Sequence, residues 1–455
     1  MHDNSIESPL RSLKQQLAGL VSMPGDDRYA AATNIWAKPV GTTPRAVVHC
    51  RAAEDVQAAI LAARERDLPL SVRGGGHDWA GRALCDGIAI DLSGMRDVVL
   101  GPDRRTVTVS GGARAGDVIT VTDPLHLAVV AGSVGAVGIT GLTLGGGYGP
   151  LIGRFGLALD NVLAAQIVLA DGRIVDADAD NNADLFWALR GGGGNFGVVT
   201  AMRLRLHELP SVHSGLLVYP VSEAEEVLQR CVALAASAPD ELSMQLGLIA
   251  DPTGTVAVMV APTWSGPPEQ GEARLAPFLK LGTLLAGRIE RKSYGALLAT
   301  FDPYFVHGLR VMMETCWLPT LDAAGIDKFI HAMKTAVSPG CAIVTHDFKG
   351  AASRVTENAT AFGLRRDHVL VEVLATFPDR SDAMDEVRHR DWARGVRESF
   401  DALPGGYPNL LGRDDTVRAA GSFGGNAARL IEAKRRYDPD NVFSSAIPLP
   451  RPAQS

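Results

Sequence analysis

The sequence predicts an α+β protein of two domains, and three observations carry that reading. At 455 residues the chain is longer than one compact core accommodates. Its first 208 residues alternate strand and helix signals around three glycine-rich loops. Beyond His207–Gly215 the texture changes to long alternating strand runs separated by amphipathic helices. Residues 1–208 are therefore assigned to a first domain, to which 406–455 return. Residues 209–405 form a second, with an antiparallel sheet covered by helices.

The elements follow in order. AVVHC (Ala46–Cys50) is a short β-branched strand, and EDVQAAILAARERD carries a helical apolar stripe at Val56, Ile60 and Ala63. LPLSV is a strand that delivers the chain into a run of glycines at Gly74. GIAIDL and TVTVSGG read as strands, the second with strict alternation. AAQIVLADGRIVDAD is a hairpin about Asp171-Gly172, the dipeptide of a type I′ turn. DLFWALRGGGGNFGVVTAMRLRL is a short helix, a glycine loop and a strand. In the second domain Ser222 and Glu225 form a capping box that opens a helix. ELSMQLGLIA, TVAVMVAPTW, CAIVTHDF and HVLVEVLATF are strands, and IDKFIHAMKTAV is another helix. The tail helix NAARLIEAKRRY stops at Asp438-Pro439.

Composition narrows the function. A net charge of −7 disfavours nucleic acid as a partner. No apolar run is long enough to cross a bilayer, and the N-terminus reads as an exposed lead-in to an amphipathic helix. With no secretory signal, the expected location is cytoplasmic. Five scattered cysteines without a CxxC pair predict neither a metal site nor a disulfide framework. Nothing in the sequence specifies an oligomeric state.

Glycine is the informative residue. RGGGHDWAG, LTLGGGYG and RGGGGNFG lie in the first domain. Such loops let the backbone approach a ligand, and successive N–H groups form nests for anions, phosphate above all. None is a P-loop or a nicotinamide fingerprint. Three together suggest a long phosphorylated cofactor, with His77 at the end of the first loop.

The chain, from PGDDRYAAATNIW to Phe443, resembles the berberine-bridge-enzyme-like FAD-linked oxidases of the vanillyl-alcohol-oxidase superfamily. SVRGGGHDWAG is similar to that family's flavin-attachment loop, ITGLTLGGGYGPLIGRFGLALDNV to its second loop, and ADLFWALRGGGGNFGVVT to its third. NAARLIEAKRRYDPDNVF is similar to its C-terminal signature. The resemblance implies a PCMH-type FAD-binding domain of two subdomains and a substrate-binding domain. It implies FAD contacts at Arg73, Gly74, Gly75, Gly76, His77 and Gly81 from the first loop. From the second come Val137, Gly141, Leu142, Gly145, Gly146, Gly147, Tyr148, Asp160 and Asn161, and beyond it Gly197, Val199 and Asn409. His77 would bond the flavin 8α-methyl. Many members add a cysteinyl link at the position occupied here by Val134, so attachment through His77 only is expected. Val137 matches the family's oxygen gatekeeper, where valine accompanies oxidases.

The family's usual catalytic tyrosine position is Leu410 here, beside Tyr407 and Asn409 in GGYPNLLG. Other members use a carboxylate on a strand facing the flavin, which directs attention to His346 and Asp347. Alternation turns one of the two inward and the sequence does not say which. Catalytic candidates are therefore His346, Asp347 and Tyr407. Tyr304 and His307 are further polar candidates, Arg365 is expected to be exposed, and Met312, Met313 and Trp317 are expected in the core. The implied activity is an FAD-dependent oxidase that takes a hydride from an alcohol or amine carbon of a small or medium-sized metabolite, with O2 reduced to H2O2. The alternatives are a flavin dehydrogenase with another acceptor and a flavin-binding protein without turnover.

Overall fold

The computed structural model describes residues 12–38, 42–305, 307–379, 383–413 and 415–450. The predicted lead-in before residue 12 lies outside them. Residues 12–16 are helical, and Leu13 and Leu17 are buried against the first sheet.

That sheet has four strands in the spatial order Val21–Ser22, Ala46–His49, Ile88–Asp91, Leu70–Arg73, and the last three run parallel. Parallel strands need a crossover, which the helix Ala53–Glu65 supplies. Its buried face is the Val56, Ile60 and Ala63 stripe. A five-stranded antiparallel sheet follows, in the order Val98–Leu100, Thr106–Ser110, Val198–Arg205, Val162–Val168, Ile174–Asp178. The Asp171-Gly172 hairpin forms, but not through a type I′ turn. Only Gly172 has a positive φ (85°), so the turn at residues 169–172 closes with one left-handed glycine.

The second domain is one eight-stranded antiparallel sheet. Helices Ala224–Ala236, Ala323–Lys334 and Ala383–Ser399 cover one face. Alternation assigns the side chains: Cys341, Ile343, Val371, Val373 and Cys316 point to the helices, while Phe348, Leu370 and Trp317 point to the first domain. The expected capping box is absent. A single 3-10 turn, Val221–Glu223, precedes the helix, and Glu223 instead accepts the N–H of Thr283 at 2.7 Å.

The C-terminal helix Ala427–Tyr437 returns to the first domain and packs Leu430 and Tyr437 into its core. It ends at Asp438, whose buried carboxylate accepts from the Val442 and Phe443 amides at 2.8 and 2.9 Å and from Lys434 at 2.6 Å. The five cysteines are unbridged and buried. Among the described residues no helix is long and apolar enough to cross a membrane, and no group of three or more metal-ligating side chains converges. Asp438→Ala leaves two amides and an ammonium without their acceptor. It is expected to lower unfolding free energy by about 2 kcal/mol or more, measured as the shift of the urea midpoint.

Candidate active site

The strand Leu70–Arg73 ends at the carboxyl edge of the first sheet, where ligands bind in parallel α/β layers. The chain then turns through Gly74–Gly75–Gly76 to His77. Among the described residues, none accepts a hydrogen bond from the N–H groups of Gly74, Gly75, Gly76, His77 or Asp78. Five successive free donors make an anion nest. The Arg73 guanidinium lies beneath Gly76, and its buried Nε also lacks an acceptor. Arg114 adds a second positive charge close to Arg73 and His77. Donors of this number and charge fit the diphosphate of FAD. Gly75 packs on the backbone of Gly138 so closely that a Cβ would collide with it. Asp78 folds the rest of the loop by accepting from Ala80 and Ala83 at 3.0 and 2.7 Å.

His77 stacks on Trp36, with centroids 4.4 Å apart and planes 4° from parallel, and Phe305 lies 5.5 Å away. Burial, with help from His307 and Arg114, brings its pKa down to about 4. The ring is therefore neutral near pH 7 and offers a lone pair, which a nucleophilic nitrogen requires.

The second loop works differently from its appearance. Gly141 faces open space, and a Cβ there would meet nothing within 4 Å. Gly145, Gly146 and Gly147 instead make room for protein, since a Cβ on them would strike Asn409, Tyr407 and Ala158 respectively. The Asn409 amide is engaged with the carbonyls of Gly141 and Leu142 at 3.3 and 2.9 Å. Asp160 holds Arg365 through two contacts of 2.8 and 2.9 Å, and Asn161 bonds Phe155, Leu157 and His207. Arg365 is thus fully buried rather than exposed. Gly197 packs on Ile167 and Val168, Val199 is core, Gly81 turns with φ 70°, and Val137 borders Gly75.

Opposite this lies the open face of the large sheet. His346 points inward, on the side of Phe348. Asp347 points to the helix face, where it influences Cys231 and Lys349, so the structure does not bring it to the cleft. Burial raises its pKa. Beside His346 stands Glu372, which sequence reading missed. Its Oε1 lies 3.2 Å from His346 Nε2 and accepts the Tyr148 hydroxyl. Gln245, paired with His346 in the sheet, places its amide nitrogen 3.3 Å from the same imidazole nitrogen. Tyr148 rests edge-on against His346 at 4.7 Å. Burial, and then the Glu372 charge, keep the Tyr148 phenol protonated far above neutrality. Tyr407 is placed differently from the expectation: its oxygen accepts the Gly147 N–H at 2.6 Å, and burial raises its pKa. It acts as a pillar under the cluster. Tyr304 and His307 are exposed. Trp317 and Met312 join the core, while Met313 joins Trp36, Val311, Trp79, Phe305, Leu374 and Leu410 in an apolar wall between His77 and Glu372.

Family comparison falls on the same two regions. A model described as FAD binding domain matches residues 44–178, and one described as berberine and berberine like matches residues 406–450. Backbone donors that fit a diphosphate on one match, and Tyr407 beneath the Tyr148–His346–Glu372 cluster on the other, belong to an FAD-linked oxidoreductase. An FAD-linked oxidoreductase of Bacillus subtilis is 30% identical over 449 residues, covering 96% of this chain and 98% of its own. The solved structure of 6-hydroxy-D-nicotine oxidase from Arthrobacter nicotinovorans superposes with a TM-score of 0.85 at 27% identity, over 94% of this chain and 96% of its own. Berberine bridge enzyme itself, at 21% identity, shares the fold with a TM-score of 0.84 over 99% of both chains. The chain belongs to the berberine-bridge-enzyme-like FAD-linked oxidoreductases, with their PCMH-type α+β fold.

Arg365→Met would strand Asp160 without its partner. It should cost about 3 kcal/mol or more, checked by the urea midpoint, with flavin content falling in parallel.

Proposed function

We propose that this protein is an oxidase that carries FAD on His77 alone and takes a hydride from the carbon bearing an alcohol or amine of a small or medium-sized substrate. The observation that carries the reading is a neutral, stacked imidazole at the end of a run of backbone donors, with the apolar cluster around Trp36, Met313 and Leu374 linking it to the strand that carries Glu372 beside His346 and Tyr148. FAD supplies the two-electron acceptor.

The residues divide the remaining work. Glu372, with His346 as neighbour, receives the proton of the substrate O–H or N–H as the C–H bond breaks. Tyr148 and Gln245 fix the orientation of that pair. The apolar wall of Val311, Met313, Leu374 and Leu410 excludes water and favours a substrate with a hydrophobic body. Val134 stands where a cysteine would form a second link, which supports attachment by histidine only. Val137 supports O2 as the acceptor, giving H2O2.

The decisive test begins with acid precipitation. Wild-type protein should keep its yellow colour in the pellet, and His77→Ala should release it. Release from wild type would reject the covalent link. Because the reactive imidazole is the unprotonated one, attachment should be level above about pH 6 and fall as pH approaches the His77 value of about 4. Folding stability has the same sign: a His pKa lowered from 6.5 removes stability as pH drops through that window. Glu372→Gln should slow anaerobic flavin reduction by about 10²–10⁴-fold while retaining bound flavin, read by stopped-flow absorbance. Mixing the reduced protein with air should restore oxidised flavin and yield H2O2.

A further inference from the structure

A row of polar side chains crosses the carboxyl edge of the first sheet, one from each strand and in the order of the strands. Ser22 Oγ lies 2.7 Å from His49 Nε2, His49 Nδ1 lies 3.1 Å from Asp91 Oδ2, and Arg73 Nη1 donates to Asp91 Oδ1 at 2.9 Å. Ser93 adds its backbone and hydroxyl donors to Asp91 at 3.1 and 2.8 Å. Burial opposes ionisation of Asp91, but His49, Arg73 and Ser93 outweigh it and bring the carboxyl down to about 2. An ionised carboxylate only accepts, so His49 donates its Nδ1 proton to Asp91.

The residue types are those of a hydrolytic triad, yet the arrangement does not serve one. Ser22 is buried, and the second Asp91 oxygen is committed to Arg73. The row instead runs toward the flavin loop and ends on a guanidinium with a buried donor left free beneath Gly76. Neither the attachment chemistry nor the proton-handling cluster uses it.

We infer that Asp91 and His49 are positioning residues for the cofactor, holding the Arg73 guanidinium flat under the glycine nest so that its charge and its packing against Gly76 keep the five backbone donors aimed at the FAD diphosphate. Arg73 supports the nest from beneath; Asp91 and His49 act through it. The inference rests on the reading of Gly74–Asp78 as the diphosphate nest. Its direction is contrary to simple electrostatics. Asp91 is an anion close to an anion site, so a bystander Asp91 would weaken FAD binding and its neutralisation would tighten it. A positioning Asp91 gives the opposite sign, because an unanchored Arg73 no longer holds Gly76 and the backbone donors of the nest in place.

The test uses the His77→Ala protein, in which flavin is exchangeable, titrated with FAD by fluorescence quenching. Adding Asp91→Asn should weaken FAD binding by about tenfold or more, and His49→Ala should do the same. His49→Asn, which restores a donor near Nδ1, should recover most of the affinity. With His77 intact, Asp91→Asn should slow appearance of the covalent adduct, read by intact-protein mass. Affinity that is unchanged or tightened in Asp91→Asn would overturn the inference, as would a lowered melting temperature with unaltered affinity. Should Asp91→Asn fail to fold, the His49→Ala and His49→Asn pair decides alone, and equal affinities in those two would overturn it. A His77→Ala parent that binds no FAD would instead reject the nest itself.

Discussion

The reacting face depends on one hydrogen bond, from the Gly147 N–H to the Tyr407 hydroxyl. Three stretches distant in sequence meet at this phenol: the second glycine loop, the large sheet and the returning C-terminal segment. Gly146 has to lack a side chain for the ring to fit, and the ring packs edge-on against Tyr148 at 4.8 Å. Tyr148 reaches Glu372 only because its own loop is held there. Aromatic contacts to Phe348 and Phe362 carry the same support into the sheet and the segment beside Arg365. The proton-handling cluster thus inherits its geometry from packing beneath it, which is how a preorganised site is made.

Much of this was legible from the chain, because strands and loops are written locally. The alternation of TVTVS and the helical stripe at Val56, Ile60 and Ala63 both appear as burial patterns. The flavin loop was legible because three glycines and a histidine have few other uses together. Other features depend on distant partners. The choice between His346 and Asp347 needed the position of the helices over Cys341 and Ile343. Gly145–Gly147 looked like ligand contacts, yet their space is filled by Tyr407, Asn409 and Ala158, two of which lie some 260 residues away by numbering. Glu372 did leave a trace: it is the one carboxylate in HVLVEVLATF, on the same alternation as Leu370. A lone acid in an apolar strand is a signal in itself. The Asp160–Arg365 pair left none, since Arg365 alone reads as surface and Asp160 as a cofactor contact.

Charge is distributed unevenly along the cleft. Near His77 the field is positive, from Arg73, Arg114 and the backbone donors, while burial first, and then His307 and Arg114, keep an extra proton off the imidazole. Across the apolar wall the acidic end is Glu372, shielded by Tyr148 and His346. The first end thus suits an anion, and the second holds a carboxylate among donors.

The Arg365–Asp160 pair joins the second glycine loop to the segment that follows the large sheet's His346 strand, with the Arg365 side chain wholly enclosed. Trp187 and Asn426 add bonds from the first domain to the carbonyls of Asn358, Glu357 and Thr360 in the second. Losing one partner alone would leave an enclosed charge uncompensated, so the pair fixes how the second glycine loop seats against the segment at Ala352. The edge beside His77 is of another kind: the turn that carries Phe305 there rests on Gly135 through the exposed Asp302, not through an enclosed ion pair.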